Sequence, residues 1–480
     1  MPDRFPDRVT LCALFLAALL SPLAAAAAEP PPLAPAPQLA RIAIDAIGAV
    51  RLEALEADPE LYWWVELDRT LVVLAPPATL ARLARDFAVE PLAEPPGAGP
   101  LVLVRDRRPE AAADALAVLA RGGRWTLGRL REAPRDPLPS WAESATPVPP
   151  EAVPPEGLRF AFTPNRILAR AGSNLPLTEL EEALRAVDPA IVDAVDSDRW
   201  FAAVVALAGW NRWTHGTEIH DARDWLVARF GELPGVTVTT QSFQVGSTIA
   251  WNVLATLPGL GDTGRLLVVG GHYDSTSQSP QIAAPGAEDK ASGCAGVLEL
   301  ARIFTVWRPQ VTIVFACYSG EEQGLYGGAA HAQSLVAAGL APTVALMLNM
   351  DMIGYTADAD LDVLIETNTT HAGRLADFQA AAATFTDLRV VTSFSASGSD
   401  HVPFLQRGMP AVLTIENDWS IYPHYHRTTD LPGALTPVMA ENILRMNAAV
   451  VAALADAPLH VLLADGFETG DLGAWSASLP

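Results

Sequence analysis

The chain has 480 residues, half of them hydrophobic, and a net charge of −23. That length gives room for two or three domains and a large core, and the apolar content excludes a disordered protein. The acidic balance argues against nucleic-acid partners.

Residues 1–28 read as a signal peptide. Arg4 and Arg8 precede an apolar run from Val9 to Leu20, and small residues follow from Ser21 to Ala28. The run is short for a membrane anchor, and no other stretch reads as a span, so no stable membrane insertion is expected. The mature chain would be secreted or periplasmic. It would keep Cys294 and Cys317, which could pair in an oxidising compartment or remain buried free thiols.

Residues 40–132 carry a small α/β pattern. LYWWVELDRTLVVLA reads as strands, ATLARLARDF as a helix, PLVLVRD as a strand and EAAADALAVLARGG as a helix. This segment has neither His nor Cys, and it is a possible pro-segment. Proline density marks 133–157 as a linker. From 185 to 456, strands alternate with helices, which predicts a mainly parallel mixed sheet covered by helices on both faces. Residues 457–480 read as an appended tail.

Four apolar runs in the larger segment are strands with ionisable residues at their C-terminal ends. RLLVVGG leads to His272 and Asp274, and VTIVFACYSG leads to Glu321 and Glu322. TVALMLNM leads to Asp351, and PAVLTIEND leads to Trp419 and then His426. Asp289 lies between the first run and the next helix. In an open parallel sheet these ends line one edge, where ligands bind. Converging carboxylates and imidazoles repel and desolvate one another unless divalent metal joins them. Two histidines and three carboxylates exceed one tetrahedral site and suit two sites sharing a carboxylate, with zinc favoured by the N/O donors. Asp274, two residues beyond His272, can accept from its free ring nitrogen. Glu321 and Glu322 point in different directions on extended backbone, so one can bind metal while the other acts as a base.

GGHYDS, PGAEDKASG, FACYSGEEQGL, LNMDMIG, SGSDH and YHRTTD together resemble the bacterial leucyl aminopeptidase type of di-zinc metallopeptidase. Relatives include glutamate carboxypeptidase, glutaminyl cyclase and the transferrin-receptor ectodomain. The resemblance covers about 185–456. It implies two zinc ions bridged by Asp289, one completed by His272 and Asp351 and the other by Glu322 and His426. Glu321 would be the general base, and Asp274 would orient His272. A cis peptide is expected between Asp289 and Lys290. The implied activity is aminopeptidase hydrolysis of peptides with a free N-terminus. Glutaminyl cyclase and carboxypeptidase are the alternatives, and a non-catalytic receptor-like protein is disfavoured by the full ligand set. Two departures stand out. Lys290, the chain's single lysine, follows Asp289, where it could meet a substrate carboxylate, balance Glu288 or simply be solvated. Ala396 stands where some members carry an oxyanion-binding tyrosine, leaving Tyr422, Tyr425 or a metal for that task.

Overall fold

The computed structural model describes residues 37–455 apart from 45–46, 48, 93–100, 106–115, 123–124, 132–141, 145–165, 172–179 and 262. The expected signal peptide, the tail and nearly all of the 133–157 linker lie outside the described residues.

Among the described residues there are seventeen strands. β1 to β4 are Gln38–Ala43, Trp63–Asp68, Thr70–Ala75 and Val89–Pro91. β5 to β8 are Leu101–Arg105, Leu116–Gly122, Trp125–Leu130 and Ala142–Ser144. β9 is Arg166–Ala171. β10 to β13 are Thr237–Val245, Thr248–Leu257, Leu266–His272 and Thr312–Tyr318. β14 to β17 are Val344–Met350, Asp362–Glu366, Arg389–Ser393 and Ala411–Glu416.

At the centre of the large sheet, β13, β12, β14 and β17 lie side by side and parallel. Most of their residues are apolar because both faces are covered, the exceptions including Asn349, Thr414 and the strand ends His272 and Glu416. Leu267, Val269, Ile313 and Phe315 face the helices Ser197–Ala208, Gly293–Val306 and Pro437–Ala455. Val268, Val314 and Ala316 point the other way, towards the helices Tyr326–Ala337 and His401–Leu405. The period of two thus feeds two cores at once. Antiparallel pairing of β10 with β11, β11 with β13 and β15 with β17 makes the sheet mixed.

Through β9, which pairs with β16 and β2, the strands β2, β3, β1 and β4 continue this same sheet. Arg389 supports the junction with Nη1 3.2 Å from Asp68. β6, β7, β5 and β8 form a second, four-stranded sheet. Here Leu116–Gly122 is a strand, where the sequence suggests a helix. Pairing with β7 buries Ala120 among Trp63, Trp125 and Leu127, and that tertiary contact overrides the helix preference of an Ala- and Leu-rich run.

By length and composition, Pro437–Ala455 is a helix able to cross a bilayer, contrary to the sequence reading. Most of it is buried inside the fold as a core helix. Cys294 and Cys317 are joined as a disulfide that ties the helix Gly293–Val306 to β13.

His331 sits on the helix Tyr326–Ala337 with Nδ1 3.0 Å from the Tyr318 hydroxyl. Burial lowers its pKa from 6.5 to about 4. Below pH 6.5 the unfolded chain takes up a proton that the folded protein refuses until about pH 4. His331 therefore destabilises progressively as pH falls through that window, by up to about 3 kcal/mol, and has no such effect at neutral pH. The thermal-midpoint advantage of wild type over His331→Gln should shrink between about pH 7.5 and about pH 4.5. A constant difference would contradict this.

Candidate metal centre

The loops after the four central strands meet over one acidic cavity. Its lining includes His272, Asp289, Glu321, Glu322, Asp351 and His426, with Met352, Ile415, Trp419 and Tyr425 as apolar walls. Every candidate site residue except Asp274 lines it. Asp274 lies behind the wall, fully buried.

His272 ends β12. Its Nδ1 lies 3.1 Å from the Asp274 carbonyl oxygen and 3.4 Å from Asp274 Oδ1, which leaves Nε2 facing the cavity. Asp274 does more than orient this ring. Its Oδ1 and Oδ2 accept from the backbone N–H groups of Glu321 and Glu322, both at 3.3 Å, and Oδ2 also accepts from Thr214 Oγ1 at 2.9 Å. One carboxylate thereby locks two strand ends together. Glu321 and Glu322 are not on extended backbone. Gly320, with φ +69, turns the chain immediately after β13, and both carboxylates reach the cavity.

Asp289 is delivered by a tight turn at Gly286. With φ +49, a Cβ here would lie 2.0 Å from Ser275 Oγ and 2.3 Å from the Asp289 carbonyl oxygen, so only glycine fits. The Asp289–Lys290 peptide is cis. Asp430 clasps the turn from outside, accepting from the N–H of Glu288 and of Asp289, both at 2.9 Å, and from the Tyr422 hydroxyl at 2.8 Å. Asp351 is held by its own neighbour Met352 N–H at 3.0 Å and by the Ser399 hydroxyl.

Two sets of potential ligand atoms result, each with its members within 4.8 Å of one another. One is His272, Asp289 and Asp351; the other is Asp289, Glu322 and His426. Asp289 belongs to both. Its Oδ1 lies 3.8 Å from His272 Nε2, and its Oδ2 lies 2.9 Å from His426 Nε2, which is also 3.2 Å from Glu322 Oε2. Glu321 belongs to neither set, although its Oε2 is 3.7 Å from His272 Nε2.

The electrostatics fit a divalent cation. Burial raises the carboxyl pKa values of Glu321 and Glu322, opposed by His272 and His426 respectively. Burial pulls His272 downward and Lys290 adds to that, yet Glu321 and Asp274 together drive it up to about 10. Glu322 Oε1 is buried with no hydrogen-bond partner, and a donor set of imidazole nitrogens and carboxylate oxygens suits zinc.

Lys290 is not the solvated residue that the sequence allows. It is completely buried, its ammonium 3.6 Å from Asp351 Oδ2, and it does not line the cavity. It does not meet solvent. Tyr422 is likewise committed, to Asp430, whereas Tyr425 faces the cavity and stacks on His426 with ring centroids 3.9 Å apart. The roles of Asp430 and Ser399 went unassigned in the sequence, although both sit inside the motifs YHRTTD and SGSDH. Thr214 lies outside every motif.

Residues 252–451 match the model of peptidase family M28. Among curated relatives, a probable zinc metalloprotease of Pyricularia oryzae is 42% identical over 198 residues, 38% of this chain and 39% of its own length. Another, from Pyrenophora teres f. teres, is 31% identical over 296 residues, 50% of this chain and 60% of its own. The chain thus spans 39% and 60% of the lengths of these two relatives. The solved LapA aminopeptidase of Legionella pneumophila is 17% identical and covers 75% of this chain and 99% of its own, with a TM-score of 0.51. At that identity the likeness concerns the fold alone.

Proposed function

We propose that this chain is a zinc-dependent exopeptidase of the M28 family, an aminopeptidase acting on peptides with a free N-terminus. The observation that carries this reading is the pair of ligand sets sharing Asp289, with Glu321 beside both and in neither. His272, Asp289 and Asp351 would hold one zinc ion, and Asp289, Glu322 and His426 the second. When bound, the ions supply Lewis acidity at neutral pH.

The protein's own groups do the rest. Glu321 accepts the proton of the attacking water and delivers it to the leaving amine. Asp274 holds His272 in one tautomer and pins the backbone that carries Glu321 and Glu322. Tyr425 compensates for Ala396. Burial and the carboxylates of Asp289 and Glu322 raise its pKa, so it keeps the proton it needs to donate to a developing oxyanion. Met352, Ile415 and Trp419 exclude water and favour an apolar first residue.

Polarity follows from charge. Among the described residues lining the cavity there is no Arg or Lys to bind a terminal carboxylate, whereas the carboxylates suit an amine. The disulfide supports an oxidising compartment, hence a secreted or periplasmic protein. A matched pair of peptides, one free and one N-acetylated, tests the reading. The free peptide should lose residues singly from its N-terminus while the acetylated one survives. Loss of C-terminal residues from both would make the chain a carboxypeptidase, and conversion of N-terminal glutamine to pyroglutamate without hydrolysis would make it a cyclase.

A further inference from the structure

Residues 207–214 lie upstream of the M28 match, yet Arg212 and Thr214 bond to the loops that carry the centre. Arg212 is completely buried. Its Nε donates to the Tyr273 carbonyl at 2.7 Å and its Nη2 to the Gly286 carbonyl at 2.7 Å. Its Nη1 donates to the carbonyls of Leu207 and Pro285, both at 2.5 Å. Its backbone joins the same two loops. Arg212 N–H donates to Ala284 O at 3.1 Å, and Ser275 N–H donates to Arg212 O at 3.0 Å. One loop, 273–275, follows His272 and contains Asp274; the other, 284–286, leads into Asp289. Only a guanidinium offers a planar fork of five donors to such a ring of carbonyls, and an ammonium has three at a single point. Two residues on, Thr214 supplies the hydroxyl that reaches Asp274 Oδ2. The Asp274 carboxylate is fully buried, and its other contacts are at 3.3 Å or beyond.

We propose that the Arg212–Thr214 segment is the positioning element of the metal centre. Arg212 sets the spacing between the His272 and Asp289 loops, and Thr214 fixes the carboxylate that aims His272 and anchors Glu321 and Glu322. Neither residue lines the cavity, so both act through others. The inference rests on the two-ion reading above.

The test uses full-length protein carrying Thr214→Val, Thr214→Ser or Arg212→Lys. Two quantities are measured: zinc affinity by competition with a chelator, and the thermal midpoint of the metal-free form. Thr214→Val should weaken zinc binding about 10–100-fold, the scale for losing a partner behind a metal ligand, and leave the metal-free midpoint near wild type. Thr214→Ser should restore wild-type affinity because it keeps the hydroxyl. Arg212→Lys should weaken zinc binding at least as much; should it fail to fold, the Thr214 pair decides alone. Wild-type affinity in Thr214→Val would overturn the proposal, as would a fall in its metal-free midpoint that serine fails to repair. Wild-type protein that takes up no zinc would instead overturn the metal reading beneath it.

Discussion

Replacing Glu321 by glutamine is expected to lower kcat by roughly 10²–10⁴-fold, the usual scale for losing a general base, with metal content near wild type. The two halves of that expectation come from different observations. Glu321 is buried at the cavity wall, where burial raises its pKa towards the range useful for taking and returning a proton. The amide keeps the size and the backbone contact to Asp274 but cannot accept that proton. Metal content should hold because Glu321 stands outside both ligand sets. Glu322→Gln, next door in sequence, alters a member of one set and should lose metal as well as activity. Steady-state kinetics and metal analysis on the two variants separate the roles. Normal turnover by Glu321→Gln would remove it as the base.

Much of this centre is legible in the sequence because parallel strands obey a simple rule. An apolar run buried on both faces must end where the chain meets solvent, and the ionisable residue there lies on the binding edge. His272, Asp351 and the Glu321–Glu322 pair follow it directly. Asp289 and His426 lie in loops, and the same rule reaches them only through the strands those loops follow. What escapes is whatever depends on distant contacts. Arg212 meets carbonyls 61 to 74 residues away, and a lone arginine in WNRWTHG has no spacing that announces this. The burial of Lys290 depends on Asp351, which arrives from another strand. β10, TVTTQSFQV, has too many polar residues to read as part of a buried sheet, because it lies at the sheet's edge and needs only one covered face. The strand at Leu116–Gly122 is decided by its partner β7, which composition cannot foretell.

Asp289 carries the central claim, since its two oxygens face different histidines. If it bridges two ions, Asp289→Ala should empty both positions and abolish turnover, whereas His426→Ala should empty one, because His272, Asp289 and Asp351 remain. The most direct measurement is elemental analysis of purified, undialysed full-length protein beside these two variants. The account predicts two divalent ions per chain in the wild type, zinc foremost, one in His426→Ala and almost none in Asp289→Ala. One tightly held ion in a fully active wild type, or two ions retained after Asp289→Ala, would contradict it.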